Sequence, residues 1–251
     1  MELKQVNFSY NANHPLINHF SAKVPQGKIL SIIGPNGAGK TTLLQLLTGQ
    51  LIPDSGQILV DNQPLADLDA KERATKIAIV SQQHHVLDEM TVSDVVKMGR
   101  RPFHSLLATI SDEEVAPFLE QVQLTKMATR NIASLSGGQQ QRVWIAMALA
   151  QEPEYLFLDE PTTYLDVRYQ TELMALIQKL QADKKMTVIL ILHDINQAMK
   201  ISDEIWLLKN GQLIASGRPE QLLNESLLSA AFGMTVHVVT VPGYGQYVVQ
   251  V

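Results

Sequence analysis

The 251-residue sequence predicts an α/β fold with a mixed, largely parallel sheet. Four short runs are apolar at nearly every position: ILSIIG at 29–34, IAIV at 77–80, YLFLD at 155–159 and VILIL at 188–192. Runs of that length and composition read as strands buried on both faces. Helical patterns alternate with them, as parallel strands require of their crossover connections. From about 84 to 150 the strand signal stops, which predicts a helical subdomain inserted into the α/β core.

Taken in order, 2–10 and 57–61 read as strands of a smaller N-terminal antiparallel layer. SDEEVAPFLEQVQL at 111–124 reads as a helix. Ser111 and Glu114 have capping-box spacing, and Val115, Phe118, Leu119 and Val122 recur on one face. YQTELMALIQKL at 169–180 repeats that pattern with Leu173, Leu176, Ile177 and Leu180. In EIWLLKNGQLIASG, Asn210-Gly211 separates two apolar runs, a strong hairpin signal. Pro219 near the start and Gly233 past the end predict one helix over 218–233. The alternating tail VHVVTVPGYGQYVVQV, from 236, predicts a pair of short strands.

Composition narrows the function classes. Apolar residues make up 45% and charged residues 18%, enough to bury a sizeable core. The net charge is −5 and the basic residues are scattered, so no nucleic-acid partner is expected. With no cysteine there is neither a disulfide framework nor a thiolate metal site. MELKQVNFSY lacks an apolar signal core, and no apolar run approaches the roughly 18 residues of a membrane helix. Any membrane role is therefore expected to be peripheral. The adjacent His84 and His85 lack further ligands nearby and read as loop surface.

GPNGAGKT at 34–41 matches the G-x-x-x-x-G-K-[ST] phosphate loop and lies between a predicted strand and a predicted helix. Gly34, Pro35, Asn36, Gly37, Ala38 and Gly39 form the loop, whose glycines would let its backbone N–H groups curl around phosphate oxygens, and Thr42 continues the helix that follows. Lys40 is placed to bridge the β- and γ-phosphates, and the Thr41 hydroxyl to ligate Mg2+. Asp159 ends an apolar strand, where it would hold the magnesium directly or through water. Glu160, one residue on, would act as general base or orient an attacking water.

A second glycine pair, Gly137-Gly138 within LSGGQ at 135–139, opens an apolar helical run about twenty residues before LDEP at 158–161. That combination resembles the signature of ATP-binding cassette (ABC) ATPases, and the resemblance covers nearly the whole chain. Gln82 is similar to the family's Q-loop glutamine, Asp166 to its D-loop aspartate and His193 to its switch histidine. Tyr10 falls where the family stacks an aromatic ring on adenine. The resemblance implies a P-loop NTPase (RecA-like) core over about 1–83 and 154–235, a helical subdomain over about 84–153 and a β extension over 236–251. It implies ATP and Mg2+ as cofactors, with Gln82 joining Thr41 and Asp159 at the metal and His193 at the γ-phosphate. It also explains the second glycine pair: in the family, two copies pack head to tail. Ser136, Gly137, Gly138 and Gln139 of one copy then close over the nucleotide held by the other.

GRRPF at 99–103 and TTYLD at 162–166 resemble the importer branch for iron–siderophore, haem and cobalamin complexes. Tyr164 stands where a small residue is usual, a form that branch often shows. The resemblance implies an integral-membrane permease and a substrate-binding protein as partners, at the cytoplasmic face of the cell membrane. Other ABC transporter roles, and a soluble ABC regulatory protein, remain open at this point.

Overall fold

A computed structural model describes residues 1–11, 14–82, 89–105 and 107–251. His84 and His85 lie outside the described residues. In chain order the elements are β1 (Glu2–Asn11), β2 (His14–Lys23), β3 (Ile29–Ile33), α1 (Lys40–Leu47), β4 (Ser55–Val60), β5 (Gln63–Pro64), α2 (Ala70–Lys76), β6 (Ile77–Val80), α3 (Val92–Arg100), α4 (Asp112–Gln121) and α5 (Gly137–Leu149). There follow β7 (Tyr155–Asp159), α6 (Val167–Lys184), β8 (Thr187–Ile191), α7 (Ile195–Ile201), β9 (Glu204–Lys209), β10 (Gln212–Gly217), α8 (Pro219–Leu222), α9 (Glu225–Phe232), β11 (Val236–Val241) and β12 (Gly245–Gln250). They fall into two compact units, Met1–Leu68 with Ile189–Val251, and Asp69–Val188.

In the first unit, β2-β1-β4-β5 form an antiparallel sheet. Beside β3, β9 runs parallel, and β10 closes that edge antiparallel to β9. Leu192 N–H donates to the Ile32 carbonyl at 3.3 Å, holding the end of β8 against β3. Every residue of β3 and β8 is buried, the reason their sequences read as continuous apolar runs. The Phe20 and Trp206 rings meet 5.9 Å apart, joining β2 to β9 within one core. The β9–β10 turn carries positive φ at Asn210 (49°) and Gly211 (72°), the two-residue turn that the dipeptide predicts.

The stretch 218–233 departs from its sequence reading. It forms two helices rather than one, because Leu223 leaves helical geometry at ψ 67° and Asn224 starts a new N-cap. The Asn224 carboxamide oxygen accepts the Leu227 N–H at 2.9 Å, a side-chain bond that competes with continuing the first helix. The tail does form two antiparallel strands, in register from Val236↔Gln250 to Val241↔Gly245.

In the second unit, β6 and β7 run parallel in the register Ile77↔Tyr155 through Val80↔Leu158. Thr187 N–H donates to the Glu154 carbonyl at 2.9 Å and seats the start of β8 beside them. Helices α3, α4 and α5 pack on one another. Gly99 sits where α3 crosses α5: a Cβ there would run onto the Met147 carbonyl, so only glycine permits the approach. Arg100 follows, its Nε 2.8 Å from Glu114 and its guanidinium 4.2 Å from the Phe103 ring centre. Ser111 caps α4 by accepting the Glu114 N–H at 3.3 Å. The expected reciprocal half of that capping box is replaced, because the Glu114 carboxylate turns to Arg100 and to His104 instead, each at 2.8 Å. Among the described residues no helix is long and apolar enough to cross a membrane.

Candidate active site

The phosphate loop lies between β3 and α1 in the first unit. Lys40 is the first residue of α1 and only 6% exposed. A buried ammonium needs acceptors, and the loop supplies them: Nζ donates to the Gly34 carbonyl at 2.8 Å and to the Pro35 carbonyl at 3.0 Å. The loop therefore wraps around its own cation. Gly211 N–H donates to the Ala38 carbonyl at 3.0 Å, tying the loop to the β9–β10 turn. The first turn of α1 holds no acidic residue, so nothing there opposes an anion at the helix start. Thr41 is exposed and Thr42 buried.

Tyr10 reaches the same helix from β1. Its hydroxyl donates to Gln45 Oε1 at 3.2 Å and lies 3.4 Å from Thr42 Oγ1, while its ring stands edge-on to Phe8 with centroids 5.0 Å apart. The residue is 60% exposed, leaving the ring surface open to a ligand. His193 is exposed in the connection from β8 to α7.

The second unit holds the carboxylates. Asp159 closes β7 and is 9% exposed. Glu160 follows with φ of 50°, a left-handed conformation uncommon for a residue with a side chain and frequent where function fixes a geometry. Its Oε2 accepts from Gln82 Nε2 at 2.6 Å and from Thr163 Oγ1 at 3.2 Å. Structure thus joins two sequence-predicted residues 78 positions apart. The following loop is pinned: Gln170 Nε2 donates to the Thr162 and Leu165 carbonyls at 3.2 and 3.0 Å. Asp166 caps α6 by accepting the Tyr169 N–H at 3.0 Å. Thr163 and Gln170 escaped the sequence reading, although a hydroxyl three residues after Glu160 was a usable signal.

The signature segment opens α5. Ser136 Oγ accepts the Gln139 N–H at 3.4 Å, and Gln139 Oε1 accepts the Ser136 N–H at 3.0 Å. This capping box leaves the N–H groups of Gly137 and Gly138 without an acceptor inside the helix. A Cβ on Gly138 would lie 3.3 Å from the Tyr169 ring, so small size matters there. Lys40, Thr41, Tyr10 and His193 belong to the first unit, and Gln82, Asp159, Glu160, Asp166 and the signature to the second.

A glycine loop closed around a buried lysine at a strand-to-helix turn, on a chain that also carries a strand-end carboxylate pair, defines a P-loop nucleotide hydrolase. The model of the ABC transporter family matches residues 17–163. The petrobactin import ATP-binding protein FpuD of Bacillus anthracis is 38% identical over 248 residues, 98% of this chain and 90% of that one. A subunit of an inward-facing ABC transporter of metal-chelate type is 28% identical with a TM-score of 0.87, covering 100% of this chain and 96% of that one. A dimeric bacterial ABC transporter cassette is 31% identical with a TM-score of 0.75, covering 87% and 98%. The chain belongs to the ABC transporter family, as its ATP-binding and ATP-hydrolysing cassette. Cassettes of this family form dimers.

Proposed function

We propose that this chain powers uptake of an iron–siderophore-type chelate through a partner permease, closing head to tail with a second copy over two ATP molecules. Its likeness over the whole chain to a subunit of a metal-chelate type transporter carries this reading. The petrobactin import relative and the GRRPF and TTYLD segments support it. The chain would lie at the cytoplasmic face of the membrane, with a substrate-binding protein delivering cargo to the permease. Its functional division would follow the core at about 1–83 and 154–235, the helical subdomain at about 84–153 and the extension at 236–251.

The residue roles follow from chemistry. Gly34 through Thr42 cradle the triphosphate, and Lys40, held beside the loop carbonyls, offers its ammonium to phosphate oxygens. Tyr10 offers its ring to adenine. Thr41, Gln82 and Asp159 would each offer Mg2+ an oxygen donor, which suits an ion that takes hard oxygen ligands and few protein side chains. Gln82 gives its nitrogen to Glu160, which leaves its amide oxygen as the metal-side donor. When bound, the ion neutralises charge on the β- and γ-phosphates. Glu160, held by Gln82 and Thr163, accepts a proton from or orients the attacking water, and His193 contacts the γ-phosphate. From the second copy, Ser136 and the Gly137 and Gly138 N–H groups complete the anion site, with Gln139 and Asp166 beside it.

Co-expression with a polytopic permease tests the reading. Co-purification, ATPase stimulation by the permease and ATP-dependent uptake of a ferric siderophore are expected. Permease-independent activity at the stimulated rate would overturn the transporter role, and uptake of haem alone would overturn the cargo.

A further inference from the structure

His193 stands between two fastenings. Just before it, Leu192 is bonded to β3 through the Ile32 carbonyl. Just after it, Asp194 caps α7 by accepting the Gln197 N–H at 3.1 Å. That helix has only seven residues, too short to hold its place by its own hydrogen bonds. Ile195, Ala198 and Ile201 are buried, and α7 lies against β3. The third residue after His193, Asn196, points to the terminal hairpin instead. Its Nδ2 donates to the Val248 carbonyl at 2.9 Å, and its Oδ1 accepts the Val248 N–H at 2.7 Å.

One carboxamide therefore copies the two bonds that a neighbouring strand would make to β12. Both the donor and the acceptor are needed, which a carboxamide provides and a carboxylate does not. The hairpin itself is anchored independently of α7. Val236 N–H donates to Ser229 Oγ at 2.9 Å, Val238 N–H donates to Glu225 Oε1 at 2.7 Å, and Val236 and Val248 are buried. The hairpin is thus a fixed backing for a short helix whose leading end carries His193.

We propose that Asn196 is a positioning residue for ATP hydrolysis: by locking α7 to Val248 it sets the placement of His193, which makes the C-terminal hairpin part of the catalytic apparatus. This rests on His193 meeting the γ-phosphate. The competing role for Asn196 is to cover an exposed strand edge with no effect on chemistry.

The full chain with Asn196→Ala, His193→Ala and both substitutions separates the two. Single-turnover hydrolysis followed over hours keeps slow variants readable, and a fluorescent ATP analogue gives affinity. Asn196→Ala is expected to lose about 10-fold in rate with affinity changed less than about twofold, since small misplacements are costly to chemistry. In the double variant, Asn196→Ala is expected to slow His193→Ala by less than about twofold more, because both changes act through one group. An unchanged rate for Asn196→Ala, or losses that multiply in the double variant, overturns the proposal. A His193→Ala chain that hydrolyses at the full rate removes the role given to His193, and the inference falls with it by a different observation. Should the alanine variant not fold, Asn196→Asp, which keeps the acceptor for the Val248 N–H, enters the same cycle under the same criteria.

Discussion

Glu160 takes its conformation from its neighbours. The left-handed backbone turns the side chain at the end of β7, and the Gln82 and Thr163 bonds then fix the carboxylate. Thr163 is the member of that trio with no direct part in the proposed chemistry. Removing its hydroxyl deletes one hydrogen bond, a loss of about 1 kcal/mol, which corresponds to about a 5-fold fall in rate if it is felt only in the transition state. Thr163→Val is therefore expected to lower kcat about 5-fold while leaving KM for ATP within about twofold. Steady-state kinetics check this, and a KM effect with unchanged kcat would contradict it. Gly138 is constrained by the Tyr169 ring rather than by its dihedral angles. Gly138→Val is expected to push that ring aside and reduce hydrolysis by more than about 10-fold in an assay at saturating ATP, with the melting temperature showing whether the fold survives.

Among the elements, helix α4 carries the clearest pH dependence. The His104 hydrogen bond, and then the Arg100 guanidinium, hold the Glu114 carboxyl below the usual glutamate range. A carboxylate with a depressed folded pKa stabilises the fold above its unfolded value, near about pH 4.3, and loses that contribution as pH falls through the folded value. Glu114→Gln is expected to melt lower at pH 7 than the parent and to show a shallower decline below about pH 4.3; parallel declines in thermal denaturation would exclude Glu114 as a source of acid sensitivity. Legibility from sequence follows the same local physics. Strands β3, β7 and β8 were readable because every residue is buried. Strand β2 was not, because its pairing with β1 shifts register repeatedly, with left-handed residues at Gln5 and His19, and leaves no two-residue alternation. The pattern over 218–233 predicts a single helix where two form, because its apolar residues run through Asn224 without marking the break. The phosphate loop and signature were legible as contiguous motifs. The Gln82–Glu160 bond was not, since nothing local relates two residues so far apart.

For the molecule as a whole, the proposed sandwich makes assembly depend on nucleotide. Glu160→Gln should bind ATP, hydrolyse it at least about 100-fold more slowly and accumulate as a dimer, because the closed state is no longer discharged. Light scattering with and without ATP reads this directly. Adding Ser136→Arg should return the protein to monomer while each copy still binds ATP; a persistent dimer would mean that the signature lies outside the contact. The Lys40 arrangement bears on how that cycle begins. With the ammonium seated on the Gly34 and Pro35 carbonyls, the glycine-rich loop is braced by one of its own side chains and does not rely on backbone preference alone for its shape. A loop braced in this way gives up little chain freedom when a triphosphate settles in it.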